Sequence, residues 1–120
     1  MPKHDEHYIQ NQIEVALSAN NCFITRINVG KVPVRDTTGK LIRIFRAGPP
    51  NGFPDLFGIV YATNEAFFIE VKDAKGKPRP DQIRFHNFLQ SHNIIHGIAR
   101  SVDDALRIVN NREVGYGFDS

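Results

Sequence analysis

The chain has 120 residues, 41% hydrophobic and 23% charged, which suits one compact core and excludes disordered, collagen-like and membrane-spanning classes. Its single cysteine, Cys22, cannot form an internal disulfide, and the polar start Met1-Pro2-Lys3-His4-Asp5 lacks the apolar stretch of a secretory signal, so an intracellular protein is expected. The net charge of +2 is small, and its information lies in its uneven placement along the chain.

From about Asp5 to Ala19, the residues Ile9, Ile13, Ala16 and Leu17 make one apolar stripe at helical spacing. Asn20 and Asn21 end that helix. Cys22 to Val29 reads as a strand carrying Phe23, Ile24 and Ile27, broken by Gly30. A hairpin follows, with Lys31 to Arg35 as one arm, Thr38-Gly39 as its turn and Leu41, Ile42, Ile44 and Phe45 on the return. The stretch from Arg26 through this hairpin to Arg46 is basic: Arg26, Lys31, Arg35, Lys40, Arg43 and Arg46 stand against a single acidic residue, Asp36, which suits a polyanion partner and equally suits a solvated charged hairpin.

Ala47 to Pro54, with two glycines and three prolines, must be a loop. Leu56 to Ala62 and Ala66 to Val71 are apolar, β-branched and aromatic runs joined by Thr63-Asn64-Glu65, as in an antiparallel pair. Lys75 to Pro80 is a second loop, and Lys72, Lys75, Lys77, Arg79 and Arg84 form a second basic cluster against Asp73 and Asp81. Asp81 to Gln90 is expected as a helix, Ile94 to Ala99 as a strand, and Val102 to Val109 as a helix capped by Ser101 with Asp103 and Asp104 at its positive end. The order implies an α/β fold, a mixed central sheet flanked by helices, with residues 1–110 as a single domain and 111–120 as a tail.

Pro54-Asp55 opens the first central strand and Glu70-Val71-Lys72 closes the second. Alternation puts Glu70 and Lys72 on one face with Val71 on the other, and antiparallel pairing brings Asp55 alongside Glu70. Two carboxylates at a sheet edge suit a hard divalent cation such as Mg²⁺ or Mn²⁺, which keeps several waters and takes substrate phosphate as well. A neighbouring lysine can orient or deprotonate an attacking water, so phosphodiester hydrolysis is the natural chemistry. Taken singly, Glu70 and Lys72 also fit an ordinary ion pair and Asp55 a turn residue. Together, Pro-Asp followed 10 to 20 positions later by Glu-any-Lys arises by chance in roughly one such chain in a hundred. The five histidines, His4, His7, His86, His92 and His96, lack zinc-ligand spacing.

These motifs resemble the PD-(D/E)XK nuclease superfamily, which has a restriction-endonuclease-like fold, and within it the VRR-NUC branch. The resemblance extends to Glu6 ahead of Ile9-Gln10-Asn11, the run Arg26-Ile27-Asn28-Val29-Gly30, Gly52-Phe53-Pro54-Asp55, and Gln82. It implies a metal-dependent DNA endonuclease of phage or bacterial type, in which Asp55 and Glu70 bind Mg²⁺ or Mn²⁺, the Val71 carbonyl completes the shell and Lys72 serves the water. It also implies a homodimer acting on branched DNA, in the manner of a Holliday junction resolvase. A non-catalytic nucleic-acid-binding module, a nuclease of flaps or linear duplex, and an enzyme of small phosphorylated molecules are the alternatives.

The resemblance calls for a carboxylate on the first helix. At about 100° per residue, Glu6 lies roughly 35° from the centre of the apolar stripe and Glu14 roughly 115°, so Glu6 is expected to face the sheet as a metal residue; attraction to the helix N-terminus alone would also place it there. Gln82 is expected to reach Lys72 or a bound water. Arg26, Asn28, Lys31, Arg35, Arg43, Arg46, Lys75, Lys77 and Arg79 are the candidate DNA contacts.

Overall fold

The computed structural model describes residues 5–27 and 30–118. Helix α1 spans Glu6–Ala19, starting where the Asp5 carboxylate accepts the Tyr8 N–H at 2.9 Å and stopping before Asn21, whose φ of +58° is left-handed. Strands β1 (Cys22–Arg26), β2 (Gly30–Arg35) and β3 (Leu41–Ala47) follow. The β2–β3 turn is tied by Asp36, whose Oδ1 accepts the Thr38 and Lys40 N–H groups at 2.9 and 3.0 Å, and by Gly39 at φ +89°. Then come β4 (Leu56–Val60), β5 (Glu65–Val71), α2 (Pro80–Ser91), β6 (Ile95–Ala99), α3 (Val102–Asn110) and β7 (Val114–Tyr116). Strand β4 ends two residues sooner than its apolar run suggests, because residues 61–64 make the turn, with Asn64 at φ +58°.

Five strands make one mixed sheet in the order β1-β4-β5-β6-β7, antiparallel through β5 and parallel from β5 to β7, while β2 and β3 form a separate two-stranded sheet. The expected α/β architecture is therefore present. The stretch expected as a tail from residue 111 instead contributes β7, which extends the sheet beside β6.

Alternation along β4 and β5 divides the sheet into two faces. Leu56, Phe67, Ile69 and Val71 point to the side covered by α1 and α3, where they pack with Ile9, Ile13, Leu17, Ala105 and Ile108 in the main core. Phe57, Phe68 and Glu70 point the opposite way, where Phe85 and Gln82 of α2 meet Phe68 and Glu70. Among the described residues no helix is long and apolar enough to cross a membrane.

Candidate active site

Asp55 directly precedes β4. Since Leu56 pairs with Ile69, the antiparallel register carries Asp55 opposite Glu70, on the face that α2 covers. Two contacts fix it: its carbonyl accepts the Ile27 N–H at 2.8 Å, and its Oδ2 accepts the Val71 N–H at 2.8 Å. The loop before it is pressed onto α2 at Gly52, where φ is +86° and a Cβ would stand 2.2 Å from the Asp81 carbonyl oxygen. Only glycine combines that conformation with that approach, which explains the Gly52-Phe53-Pro54-Asp55 sequence.

Glu70 is buried at 3% exposure. Its Oε1 accepts a hydrogen bond from Gln82 Nε2 at 2.8 Å and lies 4.0 Å from Lys72 Nζ. Burial, reinforced by the Asp55 carboxylate opposite, pushes its pKa from 4.5 up to about 9, and the charges of Lys72 and Arg79 offset this only in part. Two carboxylates this close, one of them desolvated, require either a shared proton or a cation. The donor set therefore fits a hard divalent ion.

Lys72 is buried too, and its backbone N–H donates to the Ala99 carbonyl at 3.1 Å. The structure thus brings Asp55, Glu70 and Lys72 together as the strand geometry requires. Val71 spends its N–H on Asp55 and its side chain on the core.

Other expectations are met differently. Gln82, expected at Lys72 or a water, holds Glu70 instead, and its own Oε1 accepts the Arg79 N–H at 2.9 Å, which locks the amide orientation. Glu6 lies exposed in the first turn of α1: a Cβ on Gly76 would stand 3.4 Å from Glu6 Oε1 and 3.3 Å from Lys72 Cδ. It therefore lies against the 73–76 loop at Gly76, and among the described residues no three His, Cys, Asp or Glu side chains converge as a metal site, so Glu6 does not join Asp55 and Glu70 in one.

Arg26, expected to face phosphate, is held by α1. Its Nη2 donates to Glu14 Oε2 at 2.7 Å and to Asn11 Oδ1 at 2.6 Å. The cause is parity, because Arg26 shares with Cys22 and Ile24 the face of β1 that α1 covers. Asn28 lies outside the described residues, as do the side chains of Lys31 and Arg46. Arg35 and Arg43 are exposed on the hairpin, and Lys75, Lys77 and Arg79 on the loop after β5, where Arg79 pairs with Asp81 at 3.2 Å.

One residue escaped the sequence reading. Arg100 Nη1 donates to the carbonyls of Asp73 and Gly76 at 2.6 and 2.7 Å, and the Asp73 carboxylate accepts the Gly76 N–H at 2.6 Å, so the loop that follows Lys72 is closed from both sides. Backbone carbonyls carry no sequence signal, so only a lone arginine after an apolar strand pointed to it.

The family model described as the VRR-NUC domain matches residues 5–103. The chain belongs to the VRR-NUC family. VRR-NUC domains are nuclease modules, consistent with the PD-(D/E)XK superfamily, and a module of this class has DNA as its partner and generally uses divalent metals. A solved structure described as a VRR-NUC domain shares the fold, with a TM-score of 0.61 at 19% identity, covering 90% of this chain and 97% of the other. No curated protein sequence matches the chain significantly. The match spans both Asp55 and the Glu70-Val71-Lys72 run.

Proposed function

We propose that this chain is a Mg²⁺- or Mn²⁺-dependent DNA endonuclease that hydrolyses phosphodiester bonds at Asp55, Glu70 and Lys72. The observation that carries this reading is geometric: Asp55, held by the Val71 N–H at 2.8 Å, stands across the strand pair from the buried Glu70, so two carboxylates face one another beside Lys72. Asp55 and Glu70 would hold the ion, with the Val71 carbonyl as a further oxygen. When bound, the ion supplies charge neutralisation at the phosphate and acidifies a coordinated water. Lys72 orients that water, and Gln82 keeps Glu70 aimed by giving it a neutral hydrogen bond. Glu6 acts through Lys72 and the 73–76 loop, as its approach to Gly76 supports.

Lys75 and Lys77, with Arg35 and Arg43, would meet the DNA backbone along with Lys31, Asn28 and Arg46. Arg26 is better read as a strut between β1 and α1. One domain carries one site, so symmetric cutting of two strands needs two copies, and a four-way junction with two-fold symmetry is the substrate such a pair would match.

The test is a set of labelled single-strand, duplex, flap and four-way substrates incubated with the protein and Mg²⁺, Mn²⁺ or EDTA. Paired cuts across the junction, abolished by EDTA, are expected. Preference for flap or linear duplex would remove the junction reading, and salt-sensitive binding without product under any metal would make the chain a binding module.

A further inference from the structure

Strands β2 and β3 form an arm that stands apart from the rest of the fold. They pair only with each other, and the radius of gyration, 16.2 Å, exceeds the roughly 14 Å of a compact domain of this length. An isolated two-stranded hairpin is marginal in water, yet this one presents Leu41, Ile42, Ile44 and Phe45 at 46% to 61% exposure. The register divides them between two faces. Arg35 pairs with Leu41 and Val34 with Arg43, so Leu41, Arg43 and Phe45 share one face with Arg35, while Ile42 and Ile44 share the other with Pro33. Both faces are apolar, and no single flat surface covers them together.

Both ends of the arm enter the body at Asp55. On one side β1 ends at Arg26, and the next residue, Ile27, donates its N–H to the Asp55 carbonyl at 2.8 Å. On the other, the loop that follows β3 leads directly into Asp55. Strands of six and seven residues reach about 20 Å, or about six base-pair steps. A nucleic acid seated at Asp55 and Glu70 therefore lies within reach of the whole arm.

We propose that the arm inserts between base stacks where the strands of the substrate part, with Leu41 and Phe45 against one stack end and Ile42 and Ile44 against the other. This rests on the reading of the chain as a protein that acts on DNA, and it assigns the arm's apolar side chains to bases where its cations alone would touch only phosphate. The end of a base stack is itself apolar and aromatic, so insertion takes apolar surface out of water on both faces of the arm. Arg43 already stands 5.6 Å over the Phe45 ring, a guanidinium and aromatic platform of the kind on which bases stack. Charge agrees: Arg35, Lys40 and Arg43 are basic, and the one acidic residue of the arm, Asp36, is held in the turn by the Thr38 and Lys40 N–H groups. A flat protein surface would cover one face and leave the other in water. A continuous duplex offers phosphates but hides its base faces, whereas a branch point offers two stack ends that face one another.

The test uses the full chain in Ca²⁺, with 2-aminopurine placed beside the branch of a four-way junction and at the same sequence in a linear duplex. Wild type should raise the junction's fluorescence severalfold by separating the stacks and leave the linear duplex unchanged. Two double variants, Leu41→Thr with Phe45→Thr and Ile42→Thr with Ile44→Thr, keep charge and β propensity. Each should lose the rise and about tenfold in junction affinity, read by anisotropy, with duplex affinity unchanged. A junction whose fluorescence does not respond to bound wild type overturns the proposal whether or not a variant folds. Equal losses on junction and duplex would lay the arm along an unbroken backbone, and a loss from one face alone would seat it on a single surface. A change of mass in either variant, read by sedimentation without DNA, would assign the arm to a second copy. Each of these overturns insertion. Fluorescence is read without cleavage, so a rise in a protein that cuts nothing in Mg²⁺ or Mn²⁺ would refute the nuclease and leave the arm standing, while cleavage without the rise refutes the arm alone.

Discussion

Gln82 and Glu70 are joined across the gap between α2 and β5, with the Gln82 amide donating to Glu70 Oε1 at 2.8 Å while its carbonyl is held by the Arg79 N–H. The glutamine is buried, so its orientation is fixed before any substrate arrives. Replacing Gln82 by Ala removes the donor and leaves Glu70 beside Asp55 with less support. A loss of about 1–3 kcal/mol in stability is expected in EDTA, read from urea melts, together with slower cleavage at every metal concentration. Gln82→Glu should be worse for cleavage, since it adds a third carboxylate to a crowded pair.

Glu70 also sets a pH dependence. Its folded-state pKa of about 9 lies above the ordinary 4.5, so the folded protein retains a proton that the unfolded chain releases. The stabilising contribution is present in full below pH 4.5 and is lost as pH rises toward 9. Metal-free protein should therefore melt at progressively lower temperature across that window. Mg²⁺ or Mn²⁺ should restore the loss by taking the proton's place, and Glu70→Gln should flatten the profile and remove the metal effect. Melting curves in EDTA and in Mn²⁺ from pH 5 to 9 read all three; a parallel slope in Glu70→Gln would assign the effect elsewhere.

Arg100 closes the loop that follows Lys72 through the carbonyls of Asp73 and Gly76 rather than through the carboxylates of the site. Arg100→Ala should cost about 2 kcal/mol, because the Asp73 and Gly76 carbonyls lose a charged donor, and should lower kcat with little change in KM. Arg100→Lys keeps one donor and should recover part of both. A variant that loses stability alone, with kcat intact, would make Arg100 purely structural.

Arg26 and Lys77 separate strut from contact. Arg26→Ala should lower the melting temperature and leave the salt dependence of DNA binding unchanged, whereas Lys77→Ala should leave stability unchanged and reduce the slope of log K against log salt by roughly 0.9. Fluorescence anisotropy at several salt concentrations distinguishes them.

Asp55, Glu70 and Lys72 were legible in the sequence because strand alternation and one tight turn determine their meeting. Glu6, Gln82 and Arg26 were legible as candidates but not in their partners. Their contacts depend on how helices rotate over the sheet, and a period marks the buried face without naming what lies opposite. Strand β7 was missed since three residues, with Gly115 at φ +93°, are too short to show an alternation. The pairing of β1 with β4 across the intervening hairpin is a long-range choice that no local pattern carries, yet it places the Ile27 N–H on the Asp55 carbonyl.

The central claim is that Asp55 and Glu70 hold a divalent cation served by Lys72. Its most direct test is cleavage of a labelled four-way or duplex substrate in Mg²⁺ and Mn²⁺ by wild type, Asp55→Asn and Lys72→Ala, with binding to the same DNA measured in Ca²⁺. Cleavage should fall to background in Asp55→Asn and by roughly 10²- to 10⁴-fold in Lys72→Ala, while both variants bind DNA as the wild type does. Full cleavage by either variant would contradict the assignment.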